Sequence, residues 1–308
     1  MKQQRGVALI VAVLLVALAT LIVASLIDTT DLAFARTRNA VREQQAHAYA
    51  RGLETWALDW LRRDQNEEPG IDSNGDLWAR PLPPMDVPGG RISGRLRERN
   101  GCFNLNHLVV NGVEDALARR RFERLLRALK LDPALADAVV DWADTDQEPA
   151  PRGAEDMAYL LANPPRRAAN QGFAHVSELR LVRGIDQAAL RALEAHVCAN
   201  PANTPINVNT ATPQVLMSLV ENLDEARARK LNDDGNARMT SIEAFDAKLT
   251  QLGLARDGGP TGPGVGVAST QFQAEAVVEL DGIPFRYYSR IERGARGHAV
   301  RARSRGVD

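Results

Sequence analysis

The chain has very little cysteine, no excess of either charge sign, and none of the short signatures that mark most enzymes. Its 308 residues include two cysteines, Cys102 and Cys198. They stand 96 positions apart, so no Cys-x-x-Cys metal or redox motif occurs. The five histidines, His47, His107, His175, His196 and His298, are scattered with no His-Glu-x-x-His, so a catalytic zinc site lacks its usual sequence form. No Gly-x-Ser-x-Gly elbow and no Walker loop occurs, and a hydrolase would need a nucleophile and base that the chain does not display. With 38 Lys and Arg against 39 Asp and Glu, no global attraction draws the protein to nucleic acid. The cysteine pair fits either one disulfide of an exported domain or two buried thiols. A bond closing so long a loop would constrain the unfolded chain by about 4–5 kcal/mol in the entropy model.

What is present begins with "RGVALIVAVLLVALATLIVASLID". From Val7 to Ile27 there is no charge, and the polar Thr20 and Ser25 can satisfy themselves on helix carbonyls. Roughly twenty apolar residues are what a bilayer core requires. A secretory signal has a shorter apolar core, of about 7–15 residues, and a small-residue cleavage site beyond it. Here the sequence continues past Asp28 and Asp31 as an amphipathic helix with Ala, Leu and Trp at helical spacing, so the segment reads as a retained anchor. Lys2 and Arg5 precede the span and acidic residues follow it, which predicts a single pass with a cytoplasmic N-terminus.

The anchor and its continuation are expected over 7–63. A loop dense in Pro, Gly, Asn and Asp follows, within a first body segment at 64–112 that closes with one or two strands in "GRISGRLRERNGCFNLN". Helical patterns with acidic or Ser caps fill 113–245. A Gly/Pro-rich connector covers 246–270. Strands flank Asp281-Gly282 within 271–292, a hairpin signal, and a tail occupies 293–308. The expected class is α+β: a long N-terminal transmembrane helix, a helix-plus-antiparallel-sheet body, and a large inserted all-α domain. "GCFNLNHLV" and "PINVNTATPQV" resemble each other, which supports an internal repeat only weakly.

The richest polar stretch is "DWADTDQEPAPRGAED". Counted from Asp144, oxygen-bearing side chains fall at positions 1, 3, 5 and 12, namely Asp144, Asp146, Glu148 and Glu155. That spacing suits a hard cation such as calcium, with Asp141 and Asp156 as further or supporting ligands. Pro149 stands where an EF-hand requires glycine, so the loop is of another kind. Packed carboxylates would repel without a cation, making the metal part of the fold. The alternative is a solvated acidic helix cap. "DSNGD" at 72–76 also has calcium-like oxygens, but it and "NDDGN" at 232–236 read as ordinary turns.

The short basic leader ending in Gly6, the apolar helix, the "GCFNLN" and "INVNTA" corners, the "DWADTD…GAED" stretch and the terminal hairpin, in that order, resemble the K-type minor pseudopilins of bacterial type II secretion systems. The resemblance covers almost the whole chain. It implies a pilin-like body, cleavage by a prepilin peptidase between Gly6 and Val7, and methylation of the new terminus. Most relatives of pilin type carry glutamate fifth after the cut, where this chain has Val11. A buried carboxylate without a partner is costly in lipid, and a subunit with none ahead of it needs no such group. The resemblance therefore implies a tip subunit that initiates and caps a periplasmic pseudopilus, held in the inner membrane with its C-terminal domain in the periplasm, supporting export of folded proteins. It further implies structural calcium, and I-type and J-type minor pseudopilins, the major pseudopilin and the inner-membrane assembly platform as partners. Enzymatic activity is not expected. A second reading is a membrane-anchored helix-hairpin-helix DNA-binding protein, suggested by "PINVNTATPQVL" and "ELRLVRGIDQAAL". "ENLDEARARK" after Val220 lacks the hairpin glycine, and the charge balance offers no compensating attraction, so nucleic acid is not expected as a partner.

Overall fold

The computed structural model describes residues 4–259, 264–294 and 297–306, with side chains from Val7 onward, so most of the expected leader lies outside the described residues. Helix α1 runs Gln4–Glu67, 64 residues without a proline. Within the apolar run, the Thr20 hydroxyl donates to the Ala17 carbonyl at 2.8 Å, hiding its polarity from lipid. The helix ends one turn later than its pattern suggests, where Pro69 and Gly70 (φ 84°) follow.

Strand β1, Leu82–Val87, lies in the stretch expected to be loop. Pro83 and Pro84 hide it from pattern reading, and the strand accommodates them because it is an edge with a register shift between Leu82 and Met85. Strand β2 is Gly90–Glu98. After it come β3 (Phe103–Asn104) and a small hairpin of β4 (Val109–Val110) and β5 (Val113–Glu114). Helices α2 (Ala116–Ala128), α3 (Leu135–Ala143) and α4 (Asp156–Leu160) follow. "VSELRL" forms a 3-10 turn rather than the expected α-helix, and leads to α5 (Gln187–Glu194). The domain continues with β6 (Val197–Cys198), β7 (Ile206–Asn207), α6 (Pro213–Leu219), α7 (Glu225–Leu231) and α8 (Ile242–Gln251). The connector contributes β8 (Val265–Gly266), parallel to β7. The chain closes with β9 (Gln271–Leu280), β10 (Ile283–Gly294) and β11 (Gly297–Arg305).

The main sheet has order β1-β2-β9-β10-β11, antiparallel throughout. Leu280 pairs with Ile283 across Asp281-Gly282, whose φ values of 49° and 76° suit the mirror-image turn that matches strand twist. The residues expected as a tail instead form most of β11, pairing Tyr287 with Arg305 through Gly294 with Gly297. Helix α1 covers one face: Ala46, Ala50 and Leu53 meet Ile92, Val278 and Leu280, while Ala57 and Leu61 meet Trp78, Leu96 and Phe272. Spacings of three and four residues place these on one side of the helix.

The helical domain is inserted between β2 and β9, which are neighbours in the sheet. Its core reaches from Phe103 to Leu249, wider than the helical run alone. Cys102 and Cys198 are bonded, 96 positions apart with Cα atoms at 5.8 Å, where β3 and β6 run parallel. The two similar sequence stretches share an architecture, more than the weak repeat that sequence supports. Asn104 and Asn207 each accept from the backbone N–H two residues on. Asn106 then clamps both backbone groups of Phe173, and Asn209 both of Met239.

"DSNGD" is likewise no ordinary surface turn. Asp72 is fully buried, and Arg293 bridges it at 2.8 Å to Asp64 at 2.8 Å. Ser269 donates its N–H to Asp72 and its hydroxyl to Glu98. Asn207 donates to the Asp72 carbonyl and to the Ser269 hydroxyl. This network joins α1, the sheet and both ends of the insertion.

Candidate metal centre

Helix α3 is apolar on the side facing α2 and carries Asp137 and Asp141 one turn apart. It stops at Asp144, whose extended backbone turns the chain out of the helix. Residues 145–154 then fold back so that Glu155, immediately before α4, returns to α3. Asp141 holds this return by accepting from Ala150 N–H at 3.0 Å, and Asp137 accepts from Arg152 N–H at 2.9 Å. Gly153 passes so close that a Cβ there would stand 1.9 Å from Asp141 Oδ2, so only glycine fits.

Asp141, Asp144 and Glu155 are buried, and one carboxylate oxygen from each lies within 4.8 Å of the others. Burial raises all three above the usual carboxylate range, and repulsion from neighbouring carboxylates, Asp146 in each case, adds to it. Asp144 is pushed to about 6 and Glu155 to about 7, while Asp141 rises less freely because loop N–H groups stabilise its charge. Asp144 Oδ1 and both Glu155 oxygens have no hydrogen-bond partner. Native chains seldom leave such atoms unsatisfied, and three in one place fit a hard cation. Two carboxylates whose free oxygens converge, beside a third locked in place, are a donor set suited to calcium.

The remaining expected ligands are placed differently. Asp146 is exposed and accepts from Glu148 N–H at 2.8 Å, though its charge still acts on Asp144 and Glu155. Glu148 is exposed. Asp156 turns to Ala168 N–H at 2.9 Å, bracing α4 rather than pointing into the cluster. A second carboxylate group, Asp64, Asp72 and Asp76, meets the same distance criterion. Arginines already compensate it: Arg293 holds the first two and Arg238 the third. In the sequence the oxygens of Asp72 and Asp76 are visible but read as a turn, and nothing local joins them to Asp64, which lies on α1. At the other end of the molecule, α1 is long and apolar enough to cross a membrane, and Val7 and Val11 lie exposed on it.

Residues 101–202 and 206–267 match two regions of the family described as Type II secretion system (T2SS), protein K. The chain is 39% identical over 264 residues to the type II secretion system protein K of Pseudomonas aeruginosa, covering 82% of this chain and 79% of that one. It is 30% identical over 321 residues to the Klebsiella pneumoniae protein K, covering 99% and 97%. Its structure resembles a chain of the crystal structure of the GspK-GspI-GspJ complex from the enterotoxigenic Escherichia coli type 2 secretion system. The TM-score is 0.74 and the identity 25%, over 89% of this chain and all of that one. A membrane-type helix, a sheet packed on its continuation, a helical insertion and these matches agree: the chain belongs to the type II secretion system protein K family, a minor pseudopilin and a structural component rather than an enzyme.

Proposed function

We propose that this pseudopilin forms the tip of a periplasmic pseudopilus, initiating and capping the fibre in partnership with I-type and J-type minor pseudopilins. The observation that carries this reading is the likeness to a chain crystallised within a GspK-GspI-GspJ complex, matched over its full length. Val11 supports the tip position, since a subunit with no neighbour ahead has no amino-terminus to neutralise. The insertion between β2 and β9 adds bulk that a stacked subunit would have to accommodate. In this reading Val7 becomes the methylated N-terminus after cleavage at Gly6. The span sits in the inner membrane with the body periplasmic, bundling with the major pseudopilin above the assembly platform.

Calcium belongs to the same reading. Asp141, Asp144 and Glu155 would hold it, supported by the unpartnered oxygens of the latter two, and it would fix the loop between α3 and α4. Soluble regions of the three minor pseudopilins, mixed with calcium, are expected to co-elute as one species in size-exclusion chromatography. Separate elution at concentrations well above micromolar removes the tip assignment. Native mass spectrometry with and without chelator tests the metal, and no retained calcium removes that part.

A further inference from the structure

Helix α4 is five residues long. A helix of that length has almost no stability of its own and takes its order from what it is tied to. Its ties are few. Between Glu155 and Asn170 the only buried residues after Glu155 itself are Tyr159 and Ala168. Tyr159 stands edge-on to Trp142 at 5.1 Å, and its hydroxyl accepts from Arg183 N–H at 3.1 Å. The Tyr159 carbonyl accepts from Arg166 N–H, Asp156 accepts from Ala168 N–H, and Asn170 N–H donates to the Trp142 carbonyl at 3.0 Å. On the outside Met157 and Leu161 are 76% and 87% exposed, so they add no packing. The segment hangs from α3 at both ends, at Asn170 through Trp142 and at Glu155 through the carboxylate cluster. Glu155 starts α4 with its carbonyl, which accepts from Ala158 N–H at 2.8 Å. Its side chain does not cap the helix but turns back to Asp141 and Asp144, with both oxygens unpartnered.

Packing decides which member of the cluster can leave. Ionised carboxylates this close repel one another unless a cation lies among them. Asp141 belongs to α3, where Ala136 to Ala143 are all buried, and it accepts from the N–H groups of Ala150 and Ala154. Asp144 closes the same helix, with its N–H on the Val140 carbonyl at 2.9 Å. Glu155 alone of the three sits on the lightly packed segment. Repulsion is therefore relieved by moving Glu155, and α4 goes with it. A hard cation bound by all three carboxylates reverses the sign of that interaction.

We propose that residues 155–170 are a flap latched by calcium: the bound ion holds Glu155 against α3 and orders α4, and its loss frees this segment while the rest of the helical domain stays folded. This rests on the reading of Asp141, Asp144 and Glu155 as calcium ligands. The free calcium concentration then sets whether α4 is displayed in one fixed geometry. Hydrogen exchange of the full-length chain in detergent micelles, read by mass spectrometry with calcium and with chelator at pH 8, where the cluster is ionised, tests it. Native mass spectrometry of the same samples reads the bound ion. Exchange within 155–170 is expected to quicken by about tenfold or more on chelation, while α2, α5 and the main sheet change by less than about twofold. Trypsin added to the chelated chain should cut first after Arg166 or Arg167. In Glu155→Gln the segment should be no better protected with calcium than without, and better protected in chelator than in the parent, because one charge is gone. Retained calcium with unchanged exchange in 155–170, or protection lost across the whole helical domain at once, overturns the flap and leaves the metal assignment standing. No retained calcium overturns both.

Discussion

At the scale of single residues, the candidate metal centre predicts a pH dependence whose sign would change with calcium. Asp144 at about 6 and Glu155 at about 7 lie above the ordinary value of ~4, so the metal-free folded chain binds protons that the unfolded chain has released. The contribution of these two groups to stability without metal is therefore greatest at low pH and is lost as pH rises from about 4 through about 7. Calcium held by these carboxylates would displace those protons, so its affinity should rise over the same window. Melting temperatures in chelator should fall between pH 5 and pH 7, while the gain on adding calcium should grow. Equal gains at both pH values would exclude these carboxylates as ligands. Gly153→Ala carries its own prediction: the added Cβ overlaps Asp141 Oδ2, and the cost should be about 1–3 kcal/mol in urea unfolding, with calcium retention weakened.

Among the elements, the two Asn corners make the internal echo measurable. Asn209 is fully buried and holds both backbone groups of Met239, whereas Asn106 is half-buried and holds those of Phe173. Asn209→Ala should cost about 2–4 kcal/mol because it strands two buried groups, and Asn106→Ala should cost less because water reaches its site. Equal losses in denaturant unfolding would show that burial does not separate them. The hairpin at Asp281-Gly282, the helical run and the anchor were legible because their signals are local: turn chemistry, caps and periodicity. The edge strands were not. β1 contains two adjacent prolines, and β11 reads as a charged tail because what steadies Arg303 is Glu54, 249 positions away. Asp144 and Glu155 were visible from spacing, but nothing local reveals that Asp156 turns outward to Ala168.

For the whole molecule, Arg293 is a tie between its parts. Its guanidinium joins Asp64 at the end of α1 to Asp72 in the loop that meets Ser269 and Asn207, so one side chain spans the sheet, the anchor helix and the insertion. Arg293→Met leaves two carboxylates buried without a cation and should cost about 3–5 kcal/mol. Because the lost contact lies at the junction, calorimetry should show two separated transitions where the parent melts in one, and a single shifted transition would place the tie inside one cooperative unit.

The unbroken length of α1 turns that junction into the end of a lever. With no proline from Gln4 to Glu67, the membrane segment and the mount of the helical domain are parts of one stiff rod. A change of about ten degrees in the tilt of the span moves a point roughly 60 Å away by about 10 Å. In an anchored subunit, small adjustments of the span would therefore steer the inserted domain sideways by the width of a helix.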